Sequence, residues 1–145
     1  MREESPDSRS VFRRQFTVPR EAIDRNGHVN NVVYVQWMQD LAVEHWRRIG
    51  GEAVNKELGC TWVARSHHIE YLRPAFEGDE IEALTWVAEI GRVRSKRKYA
   101  FRRPKDGHLI ARGETDWVFV HAVDGRPAGI PKPIHGILPV SADPV

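Results

Sequence analysis

From Val32 to Ile49 the residues Tyr34, Trp37, Met38, Leu41, Ala42, Trp46 and Ile49 recur at spacings of three and four, the period of one face of an α-helix. Asn30 or Asn31 can cap the start of this helix, Gly50 and Gly51 suit its end, and Arg47 and Arg48 stand in the last turn, where the helix dipole favours cations. Glu44 and Arg48 are spaced to pair one turn apart. At about 1.5 Å rise per residue the helix is roughly 27 Å long, and tryptophans on its apolar face require a broad surface to lie on.

A period of two marks that surface. Phe12, Arg14, Phe16 and Val18 form a strand-like alternation that Pro19 stops. Segments near 61–73, 79–91, 93–103 and 108–121 are rich in Val, Ile, Thr, Tyr, Phe and Trp; the run Arg73 to Asp79, Gly91 and the run Pro104 to Gly107 divide them. Short connections predict antiparallel neighbours. The stretch from Asp124-Gly125-Arg126-Pro127 through Pro131, Pro133 and Pro139 predicts turns and extended cover. One strand, one long helix and four further strands make an α+β domain, with a curved antiparallel five-stranded sheet wrapped around one central helix. Such a short sheet has edges that a second copy can pair, so a homodimer is expected, or a homotetramer of two such dimers.

At 145 residues the chain has room for one core. The single domain is expected over 11–140, between a flexible N-terminus over 1–10 and a C-terminal tail over 141–145. A content of 41% apolar and 29% charged residues is that of a soluble globular protein, and a net charge of +2 is too small to imply nucleic acid. Cys60 has no second cysteine to pair with, the chain starts with a polar segment, and no apolar run approaches the roughly 20 residues that span a bilayer. A cytoplasmic protein without membrane contact is expected.

The run Ile23-Asp-Arg-Asn-Gly-His-Val-Asn-Asn-Val-Val-Tyr34 sets an acid, an amide, a glycine and an imidazole just ahead of the helix. Asp24 is a candidate nucleophile or base, Gly27 can take backbone angles that other residues resist, and the first amides of the helix are unpaired donors. A carboxylate facing such donors suits acyl transfer. Between Arg92 and Arg103, seven of twelve residues are basic, and alternation puts Arg92, Arg94, Lys96 and Lys98 on one strand face. That face suits the phosphates of coenzyme A or an acidic carrier protein; a solvated, aggregation-resistant strand is the competing reading. His67, His68, His108, His121 and His135 lack metal-ligand spacing, so no metal is expected. No glycine-rich phosphate loop, triad or nucleophile elbow is present.

The order of elements and the run Asp24 to Met38 resemble the hotdog-fold thioesterases of the 4-hydroxybenzoyl-CoA thioesterase class. The motif is also similar to that of the plant acyl-carrier-protein thioesterases, whose Asp, Asn and His alternate in the same way. Ile69 to Asp79 resembles the family's second strand and turn, and Gly125 to Pro131 its ending, so the likeness covers about 11–133. The resemblance implies a hotdog fold and an acyl-CoA or acyl-carrier-protein thioesterase, with no cofactor beyond the coenzyme A of its substrate. It puts the catalytic carboxylate on Asp24, the carbonyl-polarising backbone N–H on Asn31, and assisting roles on Asn26 and His28. Gly27 and Tyr34 would belong to substrate binding. Some related enzymes carry the carboxylate on the helix, which makes Asp40 and Glu44 reserve candidates; both are expected at the surface.

Rival functions remain. A hotdog enoyl-CoA hydratase or dehydratase would use an Asp-x-Asn-Pro-x-His pattern; here the proline is missing and His28 comes one residue early. A non-catalytic acyl-CoA binding module would have no need of Asp24. Nucleic-acid binding by the basic strand would require strongly salt-dependent affinity, against a near-neutral total charge.

Overall fold

The apolar stripe forms α1 (Asn31–Arg48), which starts at the N-cap Asn30, whose side-chain oxygen accepts the Val32 N–H at 3.0 Å. Its inward face is Tyr34, Met38, Leu41, Ala42 and, unanticipated from the pattern, His45. Around it run β1 (Val11–Thr17), β2 (Cys60–Tyr71), β3 (Glu80–Ile90), β4 (Arg94–Arg103) and β5 (His108–His121). This is the computed structural model of the chain, and it describes residues 10–145. The flexible segment expected over 1–10 therefore lies outside the described residues except for Ser10, a buried turn residue leading into β1.

The five strands pair antiparallel, in the order β1-β3-β4-β5-β2. The expected five-stranded sheet around one long helix is thus the observed hotdog architecture. The strands first and second in the chain stand at its two edges. The basic strand β4 lies at the centre, hydrogen-bonded to β3 and β5.

The helix lies close to the sheet because β5 has no side chain at Gly113. A Cβ there would stand 2.8 Å from Met38 Sδ and 3.2 Å from the His68 carbonyl oxygen. With the helix this close, Tyr34, Met38, Leu41 and Ala42 join Ala83, Tyr99, Phe101, Ile110 and Ala111 in one buried cluster. On the far face of the sheet, Val11, Leu84, Trp86 and Ala100 form a second cluster. Chain-terminal residues reach it: Val140 bridges Val87, and Trp86 Nε1 donates to Asp143 at 3.2 Å.

Two elements differ from the expected pattern. Gly50 and Gly51 were expected at the end of α1; α1 is capped by Ile49, the chain reverses at Gly50, and Gly51 opens a further helix, α2 (Gly51–Leu58). Eight residues are too few to show a clear period. The proline-rich end was expected to be turns and extended cover; it contains α3 (Lys132–Ile137), started by Pro131 and seated by the buried Ile134 against Phe119, Ala128 and Ile130. Proline is tolerated in a first helical turn because the N–H it lacks would be unpaired there.

Candidate active site

Asp24, Asn26, Gly27 and His28 share one tight turn. The Asp24 N–H donates to the His28 carbonyl at 3.1 Å, the Gly27 N–H to the Asp24 carbonyl at 3.0 Å, and the Asn26 N–H to Asp24 Oδ1 at 2.8 Å. The turn is closed at its base by a bridge between Ile23 and Val29, and Gly27 sits at φ 84°, the left-handed region that favours glycine. A Cβ on Gly27 would meet nothing within 4 Å, so the requirement for glycine is torsional. The carboxylate is therefore oriented by its own loop. Among the described residues no hydrogen bond joins the side chains of Asn26 or His28 to it; the turn holds them beside Asp24 without ordering them against it.

The turn is anchored on both sides. The Asn30 N–H donates to the Ala22 carbonyl at 2.9 Å and the Val29 N–H to the Ala75 carbonyl at 2.9 Å, which ties it to the β2–β3 connection. That connection is itself held by Asp79, which accepts the Phe76 N–H at 2.9 Å and pairs with Arg103 at 2.8 Å. Directly after the turn comes the N-terminus of α1. Asn30 caps the N–H of Val32, while the N–H of Asn31 meets no acceptor among the described residues. An unpaired amide at the positive end of a helix can stabilise the negative charge that develops on an oxygen within hydrogen-bonding reach of it.

Tyr34 lies one turn into α1, and the structure puts it in the core. It is 3% exposed, edge-on to Trp37, Tyr71 and Phe101. Burial, helped by Tyr71 and Asp79 against the opposing Arg103, pushes its phenol above the ordinary 10.0. Asp40 and Glu44 are engaged elsewhere: Asp40 accepts from Gln36 at 2.9 Å, and Glu44 pairs with Arg14 and Arg48, each at 3.2 Å.

The basic stripe stands on the sheet face opposite α1, since its alternate partners Arg97, Tyr99 and Phe101 point toward the helix. Arg94 pairs with Asp116 at 3.6 Å, Lys96 with Glu89 at 3.5 Å and Lys98 with Asp143 at 3.3 Å. Arg92, in the turn before β4, makes no ion pair among the described residues. Most of the stripe is thus matched by acids from β3, β5 and the chain end.

A feature the motif does not show is an exposed apolar patch beside the turn. Tyr71 donates its hydroxyl to the Asn31 carbonyl at 2.9 Å, and Tyr71, Val32, Leu72 and Phe76 are all exposed, Val32 at 72%. Val63, also exposed, lies at the other end of β2, the edge strand of the sheet. Only Tyr71 and Leu72 are near neighbours in sequence, so no local period announces it.

Among known proteins, a chloroplastic palmitoyl-acyl carrier protein thioesterase of Arabidopsis thaliana is 26% identical over 147 residues, covering 93% of this chain and 35% of that protein. The chain spans about a third of the length of the curated relatives it matches. The 12:0-ACP thioesterase from Umbellularia californica superposes with a TM-score of 0.78 at 22% identity, over 87% of this chain and 48% of that one. A 1,4-dihydroxy-2-naphthoyl-CoA thioesterase from Synechocystis gives 0.78 at 17% identity, over 88% and 95%. The two solved structures share the helix-in-sheet fold described above. Residues 18–138, from the end of β1 through α3, match the model of the thioesterase-like superfamily, and the chain belongs to that family.

Proposed function

We propose that the chain hydrolyses acyl thioesters, on coenzyme A or an acyl carrier protein, to a free acid and a thiol. The observation that carries this is the Asp24 carboxylate, held by its own turn immediately before the unpaired amide of Asn31. With the thioester carbonyl oxygen directed at the Asn31 N–H, Asp24 either attacks the carbonyl carbon or takes a proton from the water that does. The carbon–sulfur bond then breaks. In the water route Asp24 passes the proton it took to the leaving thiolate. In the direct route the thiolate leaves as such and takes its proton from solvent, after which water cleaves the acyl-Asp24 anhydride to the free acid and regenerates Asp24. Asn26 and His28 assist from the same turn, Asn26 by orienting and His28 by hydrogen bonding. No cofactor is needed beyond the coenzyme A of the substrate.

Membership of a thioesterase-like family, and relatives named for palmitoyl-acyl carrier protein and 1,4-dihydroxy-2-naphthoyl-CoA cleavage, support this reading. Gly27 sets the turn against which the substrate lies. Arg92, exposed and without an ion pair among the described residues, is the best placed of the four basic candidates for a coenzyme A phosphate.

The chain works as a homodimer, alone or paired into a tetramer. The support is a twelve-residue edge strand, β2, that is largely exposed and runs into the apolar patch beside Asp24. A second copy pairing there would cover the patch and wall the site. No described helix is long and apolar enough to cross a membrane, and a single unpaired Cys60 fits a cytoplasmic location.

The test is thiol release from short, long and aromatic acyl-CoAs by wild type and Asp24→Asn. Cleavage by wild type that falls by at least about a thousandfold in the variant is expected, since losing a nucleophile or base removes a main catalytic term. An Asp24→Asn protein as active as wild type would sink the assignment. Absence of cleavage by wild type would favour a carrier-protein substrate or, with binding, the non-catalytic reading.

A further inference from the structure

Arg97 points from the centre of β4 toward α1 and is 4% exposed. Its hydrogen bonds to His45 Nδ1, at 2.8 Å, and to Thr85 Oγ1, at 3.2 Å, both leave from Nη1. Thr85 is neutral, and His45 accepts through Nδ1, which fixes its proton on Nε2. No carboxylate pairs with Arg97 among the described residues, and its Nε and Nη2 make no hydrogen bond there. A guanidinium remains charged even when buried, and a buried charge without a counter-ion is costly. Most of the other basic residues of this strand have acids among the described residues; the buried one has none.

Beside Arg97 is a cavity of about 220 Å³ between α1, α2 and the sheet. Its walls are Trp46, Asn55, Trp62, Ser95, Trp117 and Leu138. Ser95 is two residues from Arg97, buried on the same face of β4, and Trp46 Nε1 and Asn55 Oδ1 are buried without partners. The donors Arg97 and Trp46 Nε1, the acceptor Asn55 Oδ1 and the Ser95 hydroxyl, which can donate, are thus set in apolar walls. Glu52 reaches the rim, but its carboxylate faces solvent and is taken by Arg47 at 2.9 Å.

We propose that this cavity binds an organic carboxylate carried on a short apolar body, with the carboxylate on Arg97 and the apolar part against Trp46, Trp62 and Leu138. The volume holds roughly seven non-hydrogen atoms at the space each water takes in the liquid. The cavity begins at Ala42, about 17 Å along α1 from Asn31 at 1.5 Å per residue. Two sources carry this chemistry. One is the far end of an acyl group whose thioester lies at Asp24, and it rests on the hydrolase reading; the other is a separate short acid, and it does not.

The test uses the full chain. Hexanoate and 1-hexanol, matched in chain length, are titrated by calorimetry into wild type, Arg97→Met and Arg97→Lys, with thermal melts to show that each variant folds. Wild type is expected to bind hexanoate at least about tenfold tighter than hexanol, the effect of one hydrogen-bonded charge pair. Arg97→Met loses the preference and Arg97→Lys keeps part of it. Should Arg97→Met fail to fold, the acid–alcohol comparison in wild type still decides.

A second arm compares hydrolysis of palmitoyl-CoA with that of hexadecanedioyl-CoA, the same chain ending in a carboxylate and long enough to reach from Asn31 into the cavity. A hexadecanedioyl preference of about tenfold that vanishes in Arg97→Met assigns the carboxylate to the acyl group. Equal rates, with hexanoate still bound through Arg97, assign it to a separate acid. Hexanoate binding in a protein that cleaves no thioester removes the hydrolase reading and leaves this one standing. Hexanoate and hexanol binding alike, with no hexadecanedioyl preference, overturns it.

Discussion

An alanine in place of Gly113 would drive a methyl group into the closest approach between α1 and the sheet. The new Cβ would stand 2.8 Å from Met38 Sδ, 3.0 Å from Met38 Cε and 3.2 Å from the His68 carbonyl oxygen. The thioether can swing aside, but the carbonyl belongs to β2, paired with β5 along its length. Overpacking of this kind costs about 1–3 kcal/mol, offset by the roughly 0.5–1 kcal/mol that a strand gains on exchanging glycine for alanine. The expected net loss is about 1.3 kcal/mol at the middle of these ranges, or a Tm lower by about 3–5 °C for a domain of this size.

Met38→Ala alone should cost about 2–5 kcal/mol by leaving a cavity under the helix. In the double variant the alanine methyl at 113 occupies part of the space that Met38 vacates, so the total should fall short of the sum by about 1 kcal/mol. Urea unfolding followed by tryptophan fluorescence measures all four proteins, at one fixed concentration because a dimer's stability depends on it. A Gly113→Ala protein as stable as wild type, or a double variant additive to within about 0.5 kcal/mol, would refute the argument that this glycine sets the helix-to-sheet distance.

Two further outcomes follow from the same packing. Tyr34 has its phenol pushed above the ordinary 10.0 by burial, so its neutral form contributes stability that is complete below pH 10.0 and is lost as pH rises through the native value. Tyr34→Phe should therefore flatten the alkaline decline of Tm, only in part because burial raises Tyr99 as well; superimposable curves would contradict this. On the β2 edge, Val63→Lys should weaken self-association by at least tenfold in sedimentation equilibrium, because an edge lysine disfavours strand pairing. Wild type that sediments as a monomer at tens of micromolar would exclude the dimer itself.

What could be read along the chain was whatever depends on neighbouring residues. The three-and-four spacing from Tyr34 to Trp46 needs no tertiary information to specify a helix, nor does the alternation of β4 to separate Lys96 and Lys98 from Arg97. The turn at Asp24 was legible for the same reason: its hydrogen bonds close within five residues, and Gly27 supplies the one left-handed position. The eight-residue α2 and the proline-started α3 escaped because their stability comes from contacts with Trp46, Phe119 and Ile130 rather than from a period of their own.

The sheet order and the partners of each charge were decided only by the tertiary structure. Arg94, Lys96 and Lys98 were one basic stripe in sequence; in space Asp116, Glu89 and Asp143 reach them from other parts of the chain and neutralise most of it. Arg97, one residue from two of them, faces α1 instead, where His45 and Thr85 meet it and, among the described residues, no acid does. Periodicity assigns a side chain to a face, whereas burial and counter-charge depend on which distant segments that face meets. The sequence alone therefore determined the elements and the reactive turn, and the packing of α1 and α2 against β4 decided that a buried cation stands beside a cavity.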